Sequence, residues 1–85
     1  MNNKNYSKDL KLLILKILEH KYSCAHEIMQ ILKDEELEFE NRQFYPTLSN
    51  LQLKNYLCTN WIKNKEGKDV KYYHLTKNGY NFIHQ

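Results

Sequence analysis

The sequence predicts an α+β, mainly α fold with three helices, a two-stranded β-hairpin and a short C-terminal helix. Phe44, Leu48 and Leu51 follow one another at i, i+4 and i+7, which is the spacing of a single buried helix face. Two later segments of strand composition flank a turn that contains Gly67. Helices followed by such a hairpin and one more helix are the order of elements in a winged helix-turn-helix domain.

The first two helices are predicted from a capping residue and an apolar period. We expect residues 1–6 to form a flexible polar arm and Ser7 to cap a helix that runs to about His20. Ser23 then caps a second helix, which extends to about Glu36 with its apolar residues at the 3.6-residue period.

The third helix is predicted to begin between residues 41 and 43. Pro46 then falls in its first turn, where amide hydrogens have no acceptor within the helix. The helix is expected to end at Asn55, because Asn tolerates the left-handed conformation that closes a helix.

The hairpin strands are predicted at 59–64 and 69–75. Thr76 can cap the last helix, which is expected to extend to Gln85. Residues 7–85 then form a single domain, because the sequence contains no internal repeat or second domain.

The charge distribution favours a polyanionic partner. Residues 34–40 hold five of the ten acidic residues and none of the 13 Lys and Arg residues, so the rest of the chain is far more basic than the net charge of +3 implies. Nucleic acid is the partner that such an excess suits. A solvated basic surface without a partner is the alternative.

Other classes of protein are not supported. The most apolar stretch, 10–18, is interrupted by Lys11 and Lys16 and is too short to cross a bilayer. Cys24 and Cys58 do not form a CxxC pair, and no apolar leader opens the chain, so we expect a reducing, cytoplasmic location. His and Cys spacing fits no metal site, and no nucleophile motif or phosphate loop is present. We therefore expect neither enzymatic activity nor a metal or cofactor.

The third helix has a second, polar stripe that is suited to nucleic acid. In a helix-turn-helix domain the N-terminal part of this helix faces the major groove. Arg pairs well with guanine, Gln and Asn with adenine, and the Thr methyl with the thymine methyl. A solvated helix face is the alternative. The candidate DNA-binding residues of the helix are Arg42, Gln43, Tyr45, Thr47, Asn50 and Lys54.

The hairpin is predicted to act as a positively charged wing. Lys63, Lys65, Lys68 and Lys71 surround its tip, where they can bind the DNA backbone or the minor groove. A Lys-rich hairpin can also serve only to keep an edge strand from aggregating. Trp61, Tyr73 and Leu75 are expected in the core, because strand alternation lets one sheet face cover the third helix.

The chain resembles the PadR family of bacterial winged-helix transcriptional regulators from about Leu12 to Gly79. Ala25-His26-Glu27-Ile28 resembles the family's Gly-Tyr-Glu-Ile, and Phe44-Tyr45-Pro46-Thr47-Leu48 resembles its Leu-Tyr-Pro-Ala-Leu. Tyr72-Tyr73-His74-Leu75-Thr76 with Gly79 is similar to Tyr-Tyr-x-Leu-Thr-x-x-Gly. The resemblance implies a homodimeric repressor of transcription that binds double-stranded DNA.

The sequence departs from the family pattern in three places. Asn55 stands where the family has Gly, and Leu53 occupies a position that is usually charged. Only ten residues follow Leu75, about 15 Å of helix, whereas family members continue into a long dimerisation helix. We therefore expect no small-molecule effector, and a compact dimer interface that consists of Leu12, Leu15, Tyr80, Phe82 and Ile83.

Two other functions remain open. The winged helix can bind another protein through Leu12, Leu15 and Leu53, or antagonise a related regulator by forming mixed dimers. A plasmid or phage replication or partition factor would share the DNA chemistry and differ in its biological role.

Overall fold

The computed structural model describes residues 6–35 and 39–85. These residues form four helices and three strands, in the predicted order of a winged helix-turn-helix domain but with one additional strand. Residues 1–5 of the expected arm and 36–38 of the acidic segment lie outside the described residues. The elements are α1 (Tyr6–His20), β1 (Ser23–Cys24), α2 (Ala25–Asp34), α3 (Asn41–Leu53), β2 (Leu57–Lys63), β3 (Asp69–Leu75) and α4 (Lys77–Ile83).

The sheet has three antiparallel strands in the order β1-β3-β2, so the prediction of a two-stranded hairpin is incomplete. Ser23 pairs with Tyr73, and its buried hydroxyl donates to the Lys21 carbonyl at 3.2 Å. Ser23 is therefore a strand residue, and the prediction that it caps α2 is wrong. Cys24 is the N-cap, where its N–H donates to the Glu27 carboxylate at 3.1 Å. A two-residue strand is too short for its alternation to be read from the sequence.

Helix α1 packs against α2, α3, α4 and β3, which makes it the central element of the core. Its backbone is helical from Tyr6, so Ser7 lies within the helix and the prediction of an N-cap at Ser7 is wrong. Leu15 is 0% exposed, whereas Leu12 is 39% exposed. The prediction that Leu15 belongs to a dimer interface is therefore wrong: elements surround α1 on several sides, so its buried face is wider than one stripe.

Helix α3 begins at Asn41, within the predicted range of 41–43. Pro46 is then the sixth residue of the helix and lies in its second turn, so the prediction of a first-turn proline is wrong. Proline has no amide hydrogen, so the Arg42 carbonyl has no partner four residues later. The helix continues through Pro46 because Phe44 and Leu48, on either side of it, are fixed in the core.

The C-terminus of α3 closes as predicted. Asn55 has a φ of 69°, which is the left-handed conformation. The Asn55 N–H donates to the Gln52 carbonyl and the Tyr56 N–H donates to the Leu51 carbonyl, both at 3.0 Å. These two hydrogen bonds form a Schellman motif, which satisfies carbonyls that the helix end leaves free.

The N-terminus of α4 is fixed to this corner. Thr76 caps α4 as predicted, since its hydroxyl accepts from the Gly79 N–H at 3.0 Å. The same hydroxyl donates to the Asn55 carbonyl at 2.7 Å, and the Thr76 N–H donates to the Tyr56 carbonyl at 3.1 Å. The helix ends at Ile83, before the predicted Gln85. The end of α3, the exit of β3 and the start of α4 therefore form one hydrogen-bonded corner.

The C-terminal part of α4 packs on the domain itself. Phe82 stacks on Tyr56 with a centroid separation of 4.7 Å, and Ile83 packs against the core. His84 bonds the carboxylate of Glu19 on α1. Phe82 and Ile83 are thus only partly available for a dimer contact, whereas Tyr80 is exposed. None of the described helices is long and apolar enough to cross a membrane.

Candidate nucleic-acid interface

One side of α3 closes the core and the other side is open. Phe44, Leu48 and Leu51 are buried, as the i, i+4, i+7 spacing predicted. By the 3.6-residue period, the residues directly opposite them are Arg42, Pro46, Ser49 and Leu53. All four are exposed. Among them only Arg42 was predicted from the sequence to bind DNA, because DNA-binding candidates were chosen by their hydrogen-bonding groups and not by their distance from the buried face.

The predicted polar stripe lies on one flank of α3. Gln43, Asn50 and Lys54 are exposed, and Thr47 is half-buried. The Thr47 hydroxyl donates to the Gln43 carbonyl at 2.6 Å, so its polar atom is engaged within the helix. What Thr47 can offer a partner is therefore its methyl group.

Tyr45 leaves α3 on the other flank, toward the sheet. Its ring is edge-on to Phe44 at a centroid separation of 5.1 Å, and it remains exposed. Burial raises the pKa of the Tyr73 hydroxyl on β3, and the neighbouring Tyr45 hydroxyl raises this pKa further by charge repulsion. Tyr45 is thus near enough to Tyr73 of β3 to affect the pKa of its hydroxyl.

Arg42 has one acidic partner among the residues that the structure describes. Its Nε donates to the Glu40 carboxylate at 3.2 Å, and its side chain is 85% exposed. An exposed ion pair of this kind contributes only about 0–1 kcal/mol. The guanidinium can therefore exchange Glu40 for an external anion or a base edge at little cost.

The lysines of the hairpin occupy three different environments. Lys63 forms an ion pair with Asp69 at 3.0 Å. Lys65 and Lys68 are exposed at the tip and form no ion pair within the described part of the chain. The Lys71 ammonium lies over the Tyr73 ring, 5.6 Å from its centroid. All four predicted lysines thus lie on the hairpin, with the least neutralised charge at its tip.

The backbone of the tip has a defined conformation. Gly67 has a φ of 83° and its N–H donates to the Asn64 carbonyl at 3.0 Å. The Asn64 side-chain oxygen accepts from the N–H groups of Glu66 and Lys68 at 2.9 Å and 3.0 Å. These bonds hold the tip lysines on an ordered turn.

Trp61 differs from its prediction. Tyr73 is buried and Leu75 is half-buried, as expected, but Trp61 is 65% exposed and its assignment to the core is wrong. It lies on the same sheet face as the buried Leu57, four residues further toward the tip. Alternation identifies the face correctly, but the helices cover that face only near its base.

A cavity of about 530 Å³ lies elsewhere, between α1 and α2. Its lining includes the apolar residues Leu13, Ile17 and Ile31 and the charged residues Lys16 and Glu27. The described residues contain no group of three or more His, Cys, Asp or Glu side chains arranged to hold a metal ion.

Comparisons with known proteins agree with this fold. The family model described as "Transcriptional regulator PadR-like family" matches residues 14–85. A PadR-like transcription factor from Bacteroides fragilis is 29% identical with a TM-score of 0.80, and the match covers 92% of this chain and 76% of that one. A PadR family transcription regulator from Clostridium difficile is 30% identical with a TM-score of 0.77, over 88% of this chain and 79% of the other.

A third solved structure is that of Bacillus subtilis PadR in complex with operator DNA. It is 24% identical with a TM-score of 0.78, and the match covers 89% of this chain but 45% of that protein. This degree of similarity concerns the fold. No curated protein matches the chain in sequence.

Proposed function

Because the chain belongs to the PadR-like family of transcriptional regulators, we propose that it is a sequence-specific regulator that binds double-stranded DNA and represses transcription. In this proposal α3 enters the major groove. The wing, which consists of β2, β3 and the turn 64–68, follows the backbone or the minor groove. Two copies act as a homodimer whose α3 helices occupy successive major grooves of an inverted repeat. The proposal includes no catalytic step, cofactor or small-molecule effector, and the DNA partner implies a cytoplasmic location.

The observation that carries the proposal is the open polar side of α3 beside a basic hairpin. Gln43 and Asn50 are exposed, and their side-chain amides match the hydrogen-bonding edge of adenine. Arg42 suits guanine, and Lys65 and Lys68 supply charge for phosphates. The complex of the similarly folded Bacillus subtilis PadR with operator DNA supports the same class of partner.

The proposed homodimer contact involves α1 and α4. Leu12 is two turns from Glu19 on one face of α1, and Glu19 bonds His84 of α4. Tyr80 is exposed on α4. Leu12 and Tyr80, with the partly buried Phe82 and Ile83 at the border, are the apolar residues that a second copy would cover.

DNA binding can be tested by fluorescence anisotropy of a labelled duplex over a series of salt concentrations. Phosphate contacts release counterions, so the logarithm of the association constant should fall linearly with the logarithm of the salt concentration. Absence of binding at low salt, or an affinity that does not change with salt, would contradict the proposal.

Two substitutions separate base recognition from backbone contact. Arg42→Ala should weaken binding to a selected operator by about 1–3 kcal/mol and reduce its preference over unrelated duplexes. Lys65→Ala should weaken binding to all duplexes by the same factor. It should also lower by about one the slope of the logarithm of the association constant against the logarithm of the salt concentration. If Arg42→Ala weakens binding to every DNA sequence equally, Arg42 contacts the DNA backbone and not a base.

One observation favours a second candidate, a protein-interaction module or an antagonist that forms mixed dimers. Leu53 is 85% exposed on the outer face of α3, where an apolar side chain has no match in phosphate. Co-purification of a stoichiometric protein partner, together with no DNA affinity at low salt, would support this function over the first. A replication or partition factor would be distinguished by bound sites that repeat near an origin.

A further inference from the structure

Trp61 is the largest exposed apolar side chain of the wing. It lies on β2 directly opposite Lys71 of β3, and 65% of its surface is open. A tryptophan can bury about 150–250 Å² and contributes strongly to recognition when it is covered. An open indole beside the proposed interface therefore indicates a surface for a partner.

The sheet face of Trp61 is the one that looks toward the helices. Strand alternation and the register place Leu57, Trp61, Lys71 and Tyr73 on this face. Leu57 and Tyr73 are buried at its base, in the same core cluster as Phe44, Leu48 and Leu51 of α3. Trp61 continues the same face outward, so it lies on the side of the wing that α3 also occupies.

Lys71, directly across the strand pair from Trp61, places a cation beside the ring. Lys63, two residues later on the same face, is neutralised by its ion pair with Asp69 at 3.0 Å. Lys71 forms no ion pair with a carboxylate of the described residues, and its ammonium lies over the Tyr73 ring. A partner for this arrangement must be both apolar and anionic. A nucleic-acid strand meets both requirements, because its sugars and bases present apolar faces between phosphates.

We propose that Trp61 is a DNA-contacting residue whose indole packs against the deoxyribose rings of the strand that the wing follows, while Lys71 binds the adjacent phosphate. The inference rests on the proposed DNA binding and adds an uncharged contact to it. Such a contact increases affinity without adding to the salt dependence, because it releases no counterion.

The experiment uses the intrinsic fluorescence of the full chain, in which Trp61 is the only tryptophan. A mixed-sequence duplex is titrated at low salt while the Trp61 emission is recorded, and the anisotropy of a labelled copy of the duplex is measured in parallel. The expected result is a change in emission and reduced quenching by acrylamide, with the same midpoint as the anisotropy curve.

Matched variants test whether the ring contributes affinity. Trp61→Thr removes the ring but keeps a residue that favours strands. It should weaken binding about tenfold with an unchanged salt slope. Trp61→Phe should retain most of the affinity, whereas Lys71→Ala should lower the salt slope by about one. Because the ring is exposed, the variants should unfold at nearly the same temperature as the original chain.

The outcomes separate this inference from the proposed function. Binding by anisotropy with unchanged Trp61 emission, or with full affinity of the Trp61→Thr variant, overturns the inference and leaves DNA binding in place. No binding at low salt overturns both. An emission shift that depends on protein concentration in the absence of DNA overturns the inference, because it assigns the ring to a contact between copies of the chain.

Discussion

Asn55 has a left-handed backbone conformation and links the end of α3 to the start of α4. Its positive φ closes α3, and its carbonyl accepts from the Thr76 hydroxyl. A residue with a β-carbon loses about 1–2 kcal/mol in the left-handed region, whereas Asn is better tolerated there and Gly has no such penalty. The residue type alone therefore predicted where the helix ends.

Substitution of Asn55 tests this account. Asn55→Ala should lower the free energy of unfolding by about 1 kcal/mol, while Asn55→Gly should leave it nearly unchanged. Both variants keep the main-chain carbonyl that binds Thr76, so the comparison isolates the conformational effect. Urea midpoints at equal m-values are the measurement. Equal free energies of unfolding for the Ala and Gly variants would contradict the view that the end of α3 requires a left-handed backbone conformation at residue 55.

Some single residues were beyond sequence reasoning. Leu15 was assigned to an exposed face and is in the core, and Trp61 was assigned to the core and is exposed. Periodicity gives the direction in which a side chain leaves its element, but burial depends on which other elements cover that direction. Leu15 is covered by elements that the periodicity of α1 does not reveal, whereas Trp61 extends beyond the elements that cover its sheet face.

The corner between α3, β3 and α4 depends on the absence of a side chain at Gly79. A β-carbon there would lie 2.3 Å from the Tyr56 carbonyl oxygen and 2.7 Å from Leu75. The neighbour at 2.3 Å is backbone, so it cannot yield without moving the Schellman motif at the end of α3. Two helices and a strand are thus coupled through one close approach.

The Gly79→Ala substitution should lower the free energy of unfolding by about 1–3 kcal/mol, because the added methyl group overpacks this corner. The sign of this change in the free energy of unfolding is informative, because Ala without a steric clash would stabilise a helix by about 1 kcal/mol relative to Gly. Asn78→Ala, at an exposed position of the same helix, serves as the control and should change stability by less than about 0.5 kcal/mol. Chemical denaturation of the three proteins is the measurement. A more stable Gly79→Ala variant would contradict the close approach.

At the scale of elements, helices and strands long enough to carry a sequence pattern were predictable, and the two-residue strand β1 was not. The sequence predicted α3, both hairpin strands and α4, because each carries a repeated apolar spacing or a capping residue. The strand β1 has two residues, and what defines it is its hydrogen bonding to Tyr72 and Tyr73 of β3. Pairing between segments far apart in sequence leaves no local pattern in either of them.

At the scale of the whole molecule, the position of α1 restricts how two copies can meet. It is enclosed by α2, α3, α4 and β3, so Leu15 cannot contact another subunit without unfolding. Leu12 is the apolar residue of the predicted α1 interface that remains partly open. The charged and polar side chains of the candidate DNA surface were predictable, because the helical and strand periods place them outside, whereas the oligomeric contact depends on how elements pack.

Two substitutions in α1 distinguish interface from core. Leu12→Lys should leave the fold intact and convert dimers to monomers, because a charge then lies in the apolar contact. Leu15→Ala should lower the free energy of unfolding by about 2–5 kcal/mol through loss of buried volume. Sedimentation over a range of protein concentrations and thermal unfolding are the two measurements. A Leu12→Lys protein that still sediments as a dimer would exclude the α1 contact.

The pairing of β1 with β3 also affects how the protein is made. Ser23 and Cys24 find their partners in Tyr73 and Tyr72, and α2, α3 and β2 are all translated between the two strands. While the nascent chain leaves the ribosome, β1 therefore has no strand to bond until the wing has emerged. Because a loop of this length must close before the contacts that stabilise it can form, we expect β1–β3 pairing to form more slowly than the helices. Helix α1, which packs against β3 and α4, can complete its native contacts only after both elements have been synthesised.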